Sequence, residues 1–219
     1  MRVWLSVLLT AVIAALALAG AAGADDPTIR LTTAGNAAAR AAVVQKADLG
    51  SVLGWTGGAK KPDLSSGPPC PGFQPKQSDL VVVGAAETDW KRPGLEFDSE
   101  AEVMQTPAMV RLDWQRVVLS PKLLPCMRRM VSKTVGSRAT VVSVRELRVP
   151  RLATYTKGLE LLMDVNGAGR TVRVMSDMLF IGRGRTEITL TTTSLYSARS
   201  VVQPAEIRLA RLLVSRARA

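Results

Sequence analysis

The sequence contains no histidine among its 219 residues. Ser-His-Asp and Cys-His nucleophiles, histidine-ligated zinc or haem, and imidazole acid–base chemistry are therefore closed to it. Aromatic residues make up only 4%, so a core has to be assembled mainly from Val, Leu, Ile, Met and Ala, packed between a sheet and helices. Cysteine occurs twice, at Cys70 and Cys126. The two form no Cys-x-x-Cys pair, so a redox role is not expected. Only one long apolar run is present, residues 3–18, and it is too short to read as a stable membrane span.

That run has the features of a secretory signal peptide. It follows Met1-Arg2 and leads into Ala22-Gly23-Ala24, small residues that suit cleavage before Asp25. The expectation is a leader over 1–24 and a single exported domain over 25–219, secreted or extracytoplasmic in the cell envelope, with no integral span after cleavage. Neither cysteine stands at the cleavage site, so no thiol is offered there for a lipid anchor. In an oxidising compartment the pair Cys70 and Cys126 is expected to form a disulfide. Its loop of about 57 residues corresponds to roughly 4 kcal/mol in the chain-entropy picture.

The formal net charge is +11, and loss of Arg2 with the leader lowers it by one. A basic exported chain is drawn to anionic wall polymer or lipid head groups, whereas nucleic acid is not an expected partner outside the cell. The candidate contacts for an anionic surface are Arg208, Arg211, Arg216 and Arg218 in the last segment.

Periodicity and turn residues divide the chain into elements. An alanine-rich helix over 33–46 starts at Thr32 or Thr33. A proline- and glycine-rich connection over 54–78 follows, with Cys70 in its middle. Strands over 80–90 and 95–105 make a hairpin, and Thr106-Pro107 begins a helix running to about Leu119. Ser120-Pro121 restarts a second helix, which carries Cys126. Four strands over 139–149, 154–165, 171–181 and 186–195 then form a meander with glycine turns. A closing helix over 204–216 would bury Ile207, Ala210, Leu213 and Val214 and leave Glu206, Arg208 and Arg211 in water. The expected fold class is α+β: an antiparallel sheet of about six strands with helices packed on one face, in the order αββααββββα.

No catalytic motif and no metal-ligand spacing emerges, so the expectation is a non-enzyme without cofactor or metal. Gly182-Arg183-Gly184-Arg185 precedes a β-like segment and reads as a turn, not as a phosphate cradle. Trp55, Gly57 and Gly58 set a large ring beside flexible backbone and are the candidate ligand cleft, although a tryptophan capping the edge of the core is the commoner outcome. Glu96, Asp98, Glu100 and Glu102 alternate along one strand, with Glu87 and Asp89 near them on its neighbour. Period-two geometry puts the four on one face, where they could gather calcium or a basic partner; a solvated outer face is the favoured reading.

The layout resembles exported bacterial domains of the PsbP-like α+β class and, more loosely, the extracellular sensor domain of PknH-type receptor kinases. The likeness rests on the leader, the early helix, the disulfide-tied middle, the segment Phe180-Ile181-Gly182-Arg183-Gly184-Arg185-Thr186-Glu187-Ile188 and the closing helix over 205–216. It implies a non-enzymatic binding, assembly or sensing module and carries over no binding residue. The expected function is a non-catalytic exported binding or sensor-like domain for an unknown ligand. The alternative is a structural envelope protein held by charge.

Overall fold

The computed structural model describes residues 26–51, 53–64, 70, 72–134, 139–167 and 170–217. The signal-peptide reading and Arg218 lie outside the described residues. Twelve elements follow in chain order: β1 (Thr28–Ile29), α1 (Thr33–Ala41), β2 (Thr56–Lys60), β3 (Val81–Arg92), β4 (Leu95–Met104), α2 (Pro107–Arg116), α3 (Leu123–Thr134), β5 (Ala139–Leu147), β6 (Tyr155–Gly167), β7 (Arg170–Arg183), β8 (Thr186–Leu195) and α4 (Arg199–Arg216). Short 3-10 turns precede β2 and α4.

The strands form one eight-stranded sheet in the order β1-β3-β4-β8-β7-β6-β5, with β2 also on β3. This corrects the expectation of about six strands in the order αββααββββα. Two strands sit at the outer edge of β3: β1 pairs parallel at Thr28 and Ile29, and β2 pairs antiparallel further along. The sheet is therefore mixed. β1 is two residues long and β2 reads Thr-Gly-Gly-Ala-Lys, so neither carries the β-branched alternation that marks a strand in sequence.

Helices cover both faces, which corrects the one-face expectation. In β7 the side chains of Met175, Leu179 and Ile181 pack with α1 and α4, while Val174 and Met178 point the other way toward α3 and the disulfide. Both parities of β7 are apolar because both sides are buried. The Cys70–Cys126 disulfide is formed, with a Cα–Cα distance of 5.8 Å. It sits among Phe73, Leu123, Met127 and Leu161, all buried.

Local chemistry fixes the ends of several elements. Thr32 accepts a hydrogen bond from the Gly35 amide at 2.9 Å, and Thr106 caps α2 with Pro107 at its first position. The chain leaving α1 is bolted to the sheet: Ser99 Oγ accepts from the Val44 amide (2.8 Å), and Thr88 Oγ1 (2.9 Å) and Trp90 Nε1 (3.0 Å) both donate to the Val44 carbonyl. Gly35 and Gly84 let α1 approach β3 backbone to backbone, since a Cβ at Gly84 would run into the Gly35 carbonyl.

The closing helix begins at Arg199, five residues before the expected start, and carries Pro204 inside it. Its buried residues are Val202, Glu206, Leu209, Ala210, Leu213 and Val214. Glu206 was expected in water and is fully buried. It lies on the buried stripe with Val202, Leu209 and Leu213, at three- and four-residue spacing, and meets the Thr192 hydroxyl there.

Candidate functional site

The face of the sheet that carries α2 and α3 also carries the carboxylates. Register places Glu87 opposite Glu100, Asp89 opposite Asp98 and Lys91 opposite Glu96 across β3 and β4. Across β4 and β8, Glu102 lies opposite Glu187, Glu100 opposite Thr189, Asp98 opposite Thr191 and Glu96 opposite Thr193. The four acids of β4 do share a face, as period two demands. That face is not the solvated surface expected: Glu96 is buried, and Asp98, Glu100 and Glu102 are half-buried.

The lysines divide this surface into two halves. Lys60 Nζ reaches Glu87 at 2.8 Å, Asp98 at 3.3 Å and Asp89 at 3.8 Å, and Lys91 Nζ lies 2.8 Å from Asp89 and 2.9 Å from Glu96. Toward α2 the compensation stops. Glu100, Glu102 and Glu187 take part in none of the ion pairs among the described residues, and the neutral Trp114 side chain is the hydrogen-bond partner of Glu187. Asp113 of α2 stands beside them, its Oδ1 accepting from Gln77 Nε2 at 2.7 Å.

Electrostatics record this imbalance. Burial pushes Glu102 up to about 7, with the Asp113 carboxylate adding to it. Burial likewise lifts Glu100 and Glu187 well above the usual range. Glu102 and then Glu87, Asp98 and Asp63 act on Glu100, and Asp113 and Glu102 act on Glu187. In the lysine-bearing half, burial raises Glu96 to about 7 and Asp98 to about 6 against the pull of Lys91 and Lys60. Like charges placed directly opposite on a sheet are destabilising, and partial burial weakens the solvent that would screen them.

Hydroxyls continue the surface across β8. Thr189 and Thr191 are half-buried beside the acids, and Thr193 exchanges a hydrogen bond with Ser176 of β7 at 3.0 Å. The surface thus offers carboxylate and hydroxyl oxygens, a hard, anionic lining suited to ammonium, guanidinium or polyol groups. Among the described residues no group of three or more His, Cys, Asp or Glu side chains has the arrangement to hold a metal ion.

The other sequence-predicted residues lie elsewhere. Trp55 packs on Phe97 at 5.6 Å between ring centroids, on the opposite face of the sheet, with the Arg92 guanidinium 5.1 Å from its own ring. Gly57 and Gly58 belong to β2. Gly57 pairs with Trp90 at φ 119°, and a Cβ there would meet the Asp89 carbonyl oxygen. Arg208 and Arg211 are exposed on α4, whereas Arg216 is drawn into an ion pair with Asp48 (2.8 Å) and a hydrogen bond to the Val43 carbonyl (3.0 Å). None of these residues belongs to the carboxylate surface.

Glu187, Thr189, Thr191 and Lys60 were not singled out from sequence. The signal for the first three was present: Glu187, Thr189, Thr191 and Thr193 alternate along β8 as the acids alternate along β4. Lys60 lay in a segment whose glycines concealed a strand.

No protein-family profile and no curated protein matches the sequence, so neither the PsbP-like nor the PknH-type resemblance gains support. The chain is weakly similar in structure to an uncharacterized protein of Mycobacterium smegmatis, the Rv0999 ortholog, whose X-ray structure matches 64% of this chain and 67% of that one at 13% identity and a TM-score of 0.36. A likeness of that order carries no functional argument. Among the described residues no helix is long and apolar enough to cross a membrane.

Proposed function

We propose that this protein is a non-catalytic, exported binding domain whose ligand is cationic and seats on Glu100, Glu102 and Glu187. One observation carries the reading: Glu102 and Glu187 face each other in register with no ion-pair partner among the described residues. An arrangement that costs folding energy in the free protein is relieved when a positively charged group sits between the two carboxylates. The neighbouring lysines set the pattern, since Lys60 Nζ already occupies an equivalent position between Glu87 and Asp98. The threonine hydroxyls of β8 would supply the neutral hydrogen bonds that orient such a ligand.

Thermal-shift measurements with spermidine, hexalysine, neutral oligosaccharides and anionic phospholipid vesicles test this. Stabilisation by the cationic probes alone is expected. Stabilisation by none of them, or reproducible turnover of any substrate, would overturn it.

A second reading has one observation of its own. Arg208 and Arg211 share the outer side of α4 with Val201, 75% exposed, and Leu212, 38% exposed. Basic and aliphatic groups together suit an anionic envelope surface. Binding to anionic vesicles that fades as salt rises, and is lost in the Arg208→Ala/Arg211→Ala variant, would favour it.

A further inference from the structure

The opposite face holds a second group of carboxylates, unconnected with the first. Glu160 of β6, Asp177 of β7 and Glu206 of α4 are each fully buried. Glu160 is gripped by Arg145 of β5 at 2.6 Å and by Arg199 of α4 at 2.5 Å. Asp177 Oδ2 accepts from Gln203 Nε2 of α4 at 3.2 Å, and Asp177 lies opposite Thr192 of β8 in register. Gln203 is one helical turn before Glu206, so Glu206 comes down beside Asp177. Oδ1 of Asp177 is buried without a hydrogen-bond partner among the described residues, and Glu206 has the Thr192 hydroxyl beside it.

A buried ionised carboxylate with one hydroxyl and no ion-pair partner beside it is costly for a fold to hold. The charges around it are Arg145, Glu160 and Asp177 on the strands and Arg199 on the helix itself; β8 contributes the neutral Thr192. Arg183 of β7 lies further along, donating to the Val214 carbonyl near the end of α4. Three carboxylates against two guanidinium groups leave one negative charge over, and one proton removes it.

We infer that the buried group of Asp177 and Glu206 retains one proton, and that this proton is the condition on which α4 lies against the sheet. The group under α4 is then neutral. Loss of the proton leaves adjoining negative charges in a water-free interface, and the relief is for α4 to lift. Burial, followed by the charge of Asp177, pushes Glu206 up to about 8, and burial pushes Asp177 up to about 6. The latch is therefore closed in mildly acidic medium and loosens in alkaline medium.

Melting temperature followed from about pH 5 to about pH 9, for the wild type and for Glu206→Gln and Asp177→Asn, tests this, because an amide keeps the shape of the protonated acid without its titration. Acids on the other face titrate in the same window, so the readout is the difference between variant and wild type. The wild type should lose stability as pH rises through about 8, and Glu206→Gln should lose distinctly less. Equal slopes would overturn the inference. So would restoration of the alkaline wild type, but not of Glu206→Gln, by calcium or sodium, because the site would then belong to a metal cation. Should the variants not fold, hydrogen exchange on the wild type decides the matter. The α4 amides should exchange roughly tenfold faster at about pH 9, after correction for intrinsic rate, while those of α2 change little. Unchanged α4 protection would contradict the latch.

Discussion

Glu102 on β4 lies directly opposite Glu187 on β8, in a half-buried position where neither carboxylate has an ion-pair partner among the described residues. Antiparallel register brings such side chains within a few ångströms of each other, and α2 limits the water that could screen them. The pair marks the boundary between a half of the surface neutralised by lysine and a half left negative.

Removing one of these charges should stabilise the free protein. Burial raises Glu102 to about 7; a group raised in the folded state contributes stability that is complete below its unfolded value and lost as pH rises through the folded one. Glu102→Gln should therefore match the wild type at about pH 4 and exceed it by on the order of 1–3 kcal/mol at about pH 8. Denaturant titration at the two pH values measures the gap, and a gap of the opposite sign would count against the electrostatic account.

The disulfide joins α3 to the segment that follows β2. Replacing both cysteines with alanine should cost about 2–5 kcal/mol, read as a lower denaturant midpoint. Mass measurement after alkylation, with and without reductant, should detect no free thiol in the native protein.

Gly84 allows α1 to touch β3, since a Cβ there would meet the Gly35 carbonyl carbon and oxygen. Backbone atoms on both sides cannot swing away as a side chain would. Gly84→Ala should cost more than about 2 kcal/mol, and amide exchange should locate the loosening in α1.

The arginines of the closing helix should separate by role. Arg216, bound to Asp48 and to the Val43 carbonyl, ties the end of α4 to the chain following α1. Arg216→Ala should lower stability by about 1–3 kcal/mol, whereas alanine at the exposed Arg208 or Arg211 should stay within about 0.5 kcal/mol. Chemical denaturation of the three variants checks this ordering.

Much of the architecture was legible where local chemistry decides it. Thr32 and Thr106 cap helices as their side chains predict, Gly94 and Gly184 turn the hairpins at positive φ, and the last four strands fall within a few residues of the expected bounds. What escaped depends on tertiary contact. β1 and β2 exist because β3 offers an unpaired edge, and nothing in Thr-Ile or Thr-Gly-Gly-Ala-Lys announces it. The two-sided burial was written in β7, where Met175, Leu179 and Ile181 interleave with Val174, Met178 and Phe180, yet the expectation set helices on one face alone. Glu206 misled because a carboxylate on an amphipathic helix is ordinarily wet, and the Thr192 hydroxyl and the Arg199 charge that ease its burial come together only in the fold. The alternation of acids along β4 was visible; the helix and chain segment that half-bury them were not.

Calorimetric titration of the wild type and the Glu100→Gln/Glu102→Gln variant with spermidine at low salt tests the central claim most directly. The account predicts saturable binding to the wild type that weakens with salt and falls at least roughly tenfold in the variant, a change of about 1.4 kcal/mol. Equal binding to both proteins, or none to the wild type, would contradict it.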